Sequence, residues 1–204
     1  MAKKPVVNVS LDDVKKLRSI TGVGIGLCRE ALGFSKGDFD EAVKYIRKKG
    51  AAKAVKRAGR EALEGVLGVY IHGVDQKIAA VVELNCETDF VARNEDFKKL
   101  AHELAMQVAA MKAEYVDMES VPAEVIKAEK EIIMESDELK TKPENVRVNI
   151  TKGKLQKFYK EHCLLEQDYF RAPSIQISDL INDTVAKIGE KIVVRRIYRM
   201  CVGE

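Results

Sequence analysis

Glu83-Leu-Asn-Cys-Glu-Thr-Asp-Phe-Val-Ala-Arg-Asn94 is the stretch on which the fold turns. Ahead of it runs Ile78-Ala-Ala-Val-Val-Glu-Leu84, β-branched and strand-like. Behind it Phe97, Leu100, Leu104, Val108 and Met111 recur at helical spacing on one face. The junction therefore joins a strand to an amphipathic helix. Within it a large apolar ring, Phe90, follows directly on Thr88 and Asp89. Two readings of that ring are open. It plugs the end of the core, the commoner fate of an aromatic side chain, or it projects as a wedge with Asp89 as its polar handle.

Upstream, Val66–His72 reads as a second strand, joined to the first by Gly73-Val-Asp-Gln-Lys77, a glycine-bearing loop of hairpin length. Asn94 caps the helix downstream, with Glu95 and Asp96 in its first turn, where acids favour the helix dipole. Val121-Pro122 opens another helix, with Val125, Ile126, Ile132 and Ile133 as its expected buried set. Residues 136–150 are polar and irregular, and Leu155, Phe158, Tyr159 and His162 predict a helix over about 152–164. Ser178 is expected to cap a last helix, with Leu180, Ile181, Val185 and Ile188 inward and Gly189 as its stop. The chain closes in a strand, Lys191–Cys201, which carries Arg195, Arg196 and Arg199. It suits a sheet edge or pairing with a second copy. Three antiparallel strands with helices on one side predict an α+β body.

The first fifty residues are of another kind. A short tail over 1–9 precedes Ser10, which with Asp13 has capping-box spacing, and Leu11, Val14 and Leu17 follow on one face. Thr21-Gly-Val-Gly-Ile-Gly26 breaks this helix. A second helix is expected over about 24–32, ending at Gly33. Asp38 and Glu41 cap a third, with Phe39, Val43 and Ile46 inward and Gly50 after it. Three short helices make a small bundle whose core is marginal alone. Residues 51–64, rich in alanine, lysine and arginine, read as a partly helical basic linker. The division expected is a helical domain over 1–55 and a body over 56–204.

The 204-residue chain is 46% hydrophobic, ordinary for a globular protein. No apolar run is long enough to cross a membrane. The opening Met-Ala-Lys-Lys-Pro has no apolar core behind its lysines, so a cytoplasmic location is expected. Cys28, Cys86, Cys163 and Cys201 are widely spaced, fit no zinc pattern and read as reduced thiols. Residues 1–60 hold 15 lysines and arginines against 6 acids, while the remainder holds 20 against 26. The basic end suits an acidic partner surface or a solvated face. Direct nucleic-acid binding is not expected, because only Tyr45 accompanies the basic run at 44–60.

Gly22, Gly24 and Gly26 invite a phosphate-loop reading, but the dinucleotide pattern needs glycine at Leu27 and a strand ahead of it. A tight turn between packed helices fits better, and no nucleotide or other cofactor is expected. His72, His102 and His162 lack metal spacing, so no metal site is expected. His162 and Cys163 are adjacent, and adjacent residues on a helix do not face each other. No catalytic constellation emerges, and an enzyme is the weakest reading. A ubiquitin-binding bundle and a chaperone or structural subunit remain as rivals.

Leu17-Arg-Ser-Ile-Thr-Gly-Val-Gly-Ile-Gly-Leu-Cys-Arg-Glu-Ala-Leu32, Gly37–Arg47, Val82–Asn94, Leu164–Gln167 and Ile188–Arg196 together resemble the translation elongation factor Ts family over nearly the whole chain. The resemblance implies a ubiquitin-associated-like bundle followed by one copy of an α+β module, the short form of the family. It implies guanine nucleotide exchange on the GTPase elongation factor Tu. Thr88, Asp89, Phe90 and Val91 would then be the element that dislocates the partner's magnesium. Leu17, Arg18, Gly22, Gly24 and Arg29 would dock a second face of the same GTPase domain. Short members are expected to form homodimers through the C-terminal part of the body, giving a two-plus-two complex, with Cys201 near the seam.

Overall fold

The computed structural model describes residues 9–136, 139 and 142–204. Except for Val9, the expected N-terminal tail lies outside them. The elements in chain order are α1 (Leu11–Thr21), α2 (Ile25–Phe34), α3 (Phe39–Arg57), β1 (Glu64–His72), β2 (Ile78–Cys86), α4 (Asp89–Ala92) and α5 (Glu95–Met111). Then come α6 (Ala123–Glu135), α7 (Glu144–His162), a 3-10 turn (Leu164–Glu166), β3 (Asp168–Tyr169), β4 (Ala172–Gln176), α8 (Ile177–Ile188) and β5 (Ile192–Cys201). The main sheet is three-stranded and antiparallel in the order β1-β2-β5, and the fold is α+β, as the sequence predicts. The chain falls into two compact units that interleave in sequence. One takes residues up to Gly65, Asn85–Phe97 and Asp179–Val193, and the other takes Val66–Leu84, Lys98–Ser178 and Val194–Glu204.

In the first unit the three N-terminal helices enclose Val14, Leu17, Val23, Cys28, Leu32 and Ile46. Their starts follow the expected chemistry. Ser10 Oγ accepts from the Asp13 amide at 3.1 Å and an Asp38 carboxylate oxygen from the Glu41 amide at 2.9 Å. Each satisfies a donor that the helix itself cannot. Gly22, at φ +69°, ends α1 in the left-handed conformation, and its N–H donates to Arg18 O at 2.7 Å.

Two expected stops are not stops. Helix α2 runs through Gly33, and the left-handed turn falls instead at Lys36, φ +54°, and Gly37, φ +92°. Helix α3 runs through Gly50 to Arg57, unbroken across the expected boundary at 55/56. Gly50 is there for packing. A Cβ on it would lie 2.9 Å from both Ala186 Cβ and Asn182 O of α8. Helix α8 thus forms a fourth wall, and Ala186 joins the bundle core. That wall supplies the burial that a bundle this small lacks alone.

In the second unit β2 buries Ala80, Val82 and Leu84, and α5 buries Leu100, Ala101, Leu104 and Val108. The strand β1 lies directly on α5, since a Cβ at Gly68 would stand 2.1 Å from Ala101 O. Met111, expected on the buried face, is 45% exposed in the last turn of α5. Gln107 is fully buried yet satisfied. Its amide donates to Gln167 Oε1 and Asp168 O, and its Oε1 accepts from the Phe170 amide at 3.0 Å. It fastens the β3–β4 hairpin, which sequence periodicity does not reveal because β3 is only two residues long.

Helices α6 and α7 pair with each other. In α6 only Ile133 is buried, Val125 and Ile126 are half-buried, and Ile132 is exposed. Helix α7 starts at Glu144 rather than near 152 and buries no residue fully. Helix α8 starts at Ile177, so Ser178 lies inside it rather than capping it. The Ile177 amide is satisfied by Gln167 O at 3.0 Å. The buried stripe is Ile177, Ile181 and Val185, with Leu180 and Ile188 half-buried. Gly189, φ +92°, ends α8 as expected.

Candidate functional site

The strand-to-helix junction is built as a stack of small locks. Cys86 ends β2 with a buried thiol that donates to Thr88 O at 3.2 Å, and burial pushes the thiol up to about 11. Thr88 stays extended and caps α4, accepting from the Val91 amide at 3.4 Å. Asp89 pairs with Arg93 across the turn at 3.0 Å. Asn94 Oδ1 accepts from the Asp96 amide at 2.8 Å and starts α5.

Helix α4 is one turn long, and its orientation decides where Phe90 points. Ala92 is buried and therefore fixes the inward face. Two residues along a helix are about 200° apart, so Phe90 is driven outward. Its side chain is 80% exposed. The core-plug reading is overturned on this point, since Phe97 fills the interior instead, fully buried. Asp89 and Val91 flank the ring, both half-buried.

The backbone leading into this turn is gripped from a distant segment. Glu190, just past Gly189, accepts from the amides of Glu87 at 3.2 Å and Thr88 at 3.1 Å, and from Thr88 Oγ1 at 2.7 Å. Glu87 answers by accepting from the Lys191 amide at 2.7 Å and from Arg60 at 2.9 Å. The Lys191 amide, then Arg60, hold the Glu87 carboxyl below the ordinary 4.5 against the opposing pull of burial. Lys191 Nζ donates to Ala58 O and Arg60 O just beyond α3. Glu87, Glu190 and Lys191 escape sequence reading because their partners lie about a hundred residues away, beyond any local spacing rule.

The α1–α2 corner is the second candidate surface. Arg18, Gly22, Gly24 and Arg29 are exposed there. Leu17 is not: it is fully buried in the bundle core, on the same stripe as Val14, and cannot meet a partner. The exposed apolar groups are Ile25, inside the Gly22–Gly26 stretch, and Ile20, at 68%, which local pattern alone does not single out. Ile20 falls off the Val14–Leu17 stripe, and that offset was the available signal. Close approach accounts for Gly22 alone, where a Cβ would lie 2.6 Å from Lys187 Cε. Gly24 and Gly26 have open space around them. Lys187 also pairs with Asp96 at 2.7 Å.

Elsewhere the titratable groups are dispersed. His72 contacts Tyr70, His102 contacts Val69 O, and His162 contacts Glu114. Burial raises the Cys163 thiol to about 11, far from a reactive thiolate. Among the described residues no three His, Cys, Asp or Glu groups gather as a metal site, and no helix is long and apolar enough to cross a membrane. A groove of about 530 Å³ between α6 and α7 is lined by Met134, Val148 and Leu155 together with Lys130, Glu144, Arg147, Thr151 and Lys152.

A family model described as elongation factor TS matches residues 38–184, including the whole Glu83–Asn94 junction. Elongation factor Ts of Moorella thermoacetica is 51% identical over 196 residues, covering 96% of both chains. The Thermotoga neapolitana protein of the same name is 50% identical over 198 residues, covering 97% of this chain and 99% of that one. That of Herpetosiphon aurantiacus is 47% identical over 197 residues, with 97% and 99% covered. An exposed ring on a braced helical turn and likeness along nearly the full chain lead to one conclusion: the chain belongs to the elongation factor Ts family.

Proposed function

We propose that this chain promotes GDP release from elongation factor Tu by inserting Phe90 between helices of the GTPase domain and so shifting the elements that hold magnesium and the phosphates. The observation that carries the reading is the 80% exposure of a phenylalanine whose backbone is pinned on both sides. A GTPase holds GDP largely by charge, through magnesium and phosphate-binding backbone, so a small displacement costs much affinity. The factor needs no contact with the nucleotide. It makes and breaks no covalent bond. Asp89 and Thr88 set the ring's direction and Val91 pads its flank. Arg18, Gly22, Gly24 and Arg29, with Ile20 and Ile25 beside them, form the docking corner of residues 1–55, and residues 56–204 carry the exchange element. The cytoplasm is where such a partner would be met.

Linkage constrains the scheme. If the factor weakens GDP binding, GDP weakens factor binding by the same ratio, and magnesium opposes the complex for the same reason. Stopped-flow release of fluorescent GDP from elongation factor Tu tests it directly. Phe90→Ala should lower the maximal release rate by about a hundredfold while the melting temperature holds, since the ring buries little in its own chain. Wild-type release from a folded Phe90→Ala protein would remove the wedge.

We also propose a second copy of the chain as the occupant of the open sheet face. Leu67, Val69 and Ile71 of β1 and Tyr198 and Met200 of β5 are all exposed on strands of one sheet. An apolar surface of this kind is a liability in a monomer and a self-complementary patch in a twofold dimer. Arg196 and Glu83 pair on neighbouring strands, so this part of the sheet surface is charge-balanced. Two such dimer halves, each with its own Phe90, would give a two-plus-two complex.

A further inference from the structure

A four-residue helix cannot hold its own direction. Closing one turn fixes several dihedrals for a single hydrogen bond, so isolated turns of this length are unstable. Helix α4 has one internal anchor, Ala92, and one surface ion pair, Asp89–Arg93. An exposed ring on such a turn would swing unless the backbone entering it were fixed from outside.

The structure assigns that role to Glu190: we propose that its carboxylate is the positioning group that aims the Phe90 wedge, acting through Thr88. The inference rests on the wedge reading above and adds a residue to it. Three donors converge on the one carboxylate: the Glu87 amide, the Thr88 amide and the Thr88 hydroxyl. Bonds to an ionised acceptor are the stronger and shorter kind. The third bond does more than hold. By accepting the hydrogen bond from the Thr88 hydroxyl, Glu190 leaves the Oγ1 lone pairs facing the Val91 amide, which is the cap that starts α4. Thr88 thus relays the position of Glu190 into the turn.

Glu190 is itself held in place. Gly189, at φ +92°, reverses the chain at the end of α8 and presents the next side chain to the junction. Lys191 returns the grip, its amide on Glu87 and its Nζ on Ala58 O and Arg60 O. One turn earlier Lys187 covers Gly22 and pairs with Asp96 in the first turn of α5. The segment Lys187–Lys191 therefore touches the docking corner, the end of α3 and both sides of the exchange turn, all in the first compact unit. It is the natural brace for a lever that must push without bending.

The test is the GDP-release assay with saturation analysis, which separates the maximal rate from the concentration of factor giving half of it. It uses full-length wild type, Phe90→Ala, Glu190→Ala, Glu190→Gln and the double variant Phe90→Ala/Glu190→Ala. Glu190→Ala should lower the maximal rate by about tenfold and move the half-saturating concentration by less than about threefold, because docking is kept and aim is lost. Glu190→Gln still accepts from the two amides but no longer accepts from the hydroxyl, so it should recover part of the rate. In the Phe90→Ala background, removing Glu190 should cost nothing further, as expected of groups acting as one unit. If Phe90→Ala is slow but folded Glu190→Ala or Glu190→Gln reaches the wild-type maximal rate, the brace is overturned and the wedge stands. If Glu190→Ala costs the same factor with and without Phe90, Glu190 acts elsewhere and the brace is again overturned. If Phe90→Ala itself is fully active, the wedge reading fails and takes the brace with it. Should the alanine variant melt early, the isosteric Glu190→Gln carries the comparison.

Discussion

At the scale of single residues, the same sequence neighbourhood contains side chains with opposite fates. Leu17 and Arg18 are adjacent; one is wholly inside the bundle and the other is free to meet a partner. Phe90 and Ala92 are two apart; the large apolar group faces water and the small one is buried. Helical geometry decides both cases, since a shift of one or two positions carries a side chain to another face. Glu87, beside the Phe90 turn, responds to pH through its partners. Its folded-state pKa is lowered, first by the Lys191 amide and then by Arg60 and Arg57, with burial opposing. Its contribution to stability is therefore complete above the ordinary 4.5 and fades as pH falls through the lowered folded value. The melting-temperature gap between wild type and Glu87→Gln should hold steady from about pH 8 to about pH 5.5 and close in more acidic buffer. A gap that widens on acidification would mean that the carboxylate is not stabilised where it sits.

At the scale of elements, the glycines show what a sequence reveals and what it withholds. Gly50 reads as a helix stop and Gly153 lies in a stretch read as the start of a helix, yet both are helix-interior residues. Their surroundings differ. Gly50 has no room for a Cβ against Asn182 O and Ala186, whereas Gly153 has open space. Gly153→Ala should stabilise the protein by about 0.5–1 kcal/mol, the ordinary gain of replacing a helical glycine. Gly50→Ala should instead destabilise by about 1–3 kcal/mol, because α8 must move away. Chemical denaturation of the two variants checks both signs. Stability equal to or above wild type in Gly50→Ala would mean that the α3–α8 contact is looser than it stands. The caps at Ser10, Asp38 and Asn94 were legible because each acts within three residues of itself. The strands and the α5 face were legible from their periodicity. Contacts between segments far apart in sequence were not: the fourth wall given by α8, the Gln107 lock on β3–β4, and the Glu87–Glu190 clasp at the site. The exposed turn at Thr88–Val91 lies within reach of local pattern and resemblance, while the clasp on its backbone depends on tertiary structure.

At the scale of the whole molecule, the open sheet face is the feature that a single chain does not explain. Its β1 side shows Leu67, Val69 and Ile71 in strict alternation, while the neighbouring Gly68 and Tyr70 turn toward α5 or are half-buried. Its β5 side shows Tyr198 and Met200. Strands covered on both faces read as near-continuous apolar runs, as Val66–Ile71 of β1 does, yet α5 covers only one face of it. A twofold partner would cover the other with an identical face, and the buried centre of such a contact carries most of its energy. Placing a carboxylate there by Val69→Glu should weaken self-association by about a hundredfold or more, since an unpaired buried charge is costly. Sedimentation equilibrium across a range of loading concentrations gives the dissociation constant of each form. The variant also separates assembly from exchange. Phe90 and its clasp belong to one chain, so monomeric Val69→Glu should release GDP at a maximal rate within about threefold of wild type. A wild-type protein that sediments as a monomer throughout would remove the second copy from the sheet face. A dissociated variant that had also lost exchange would show that the lever needs the dimer to work.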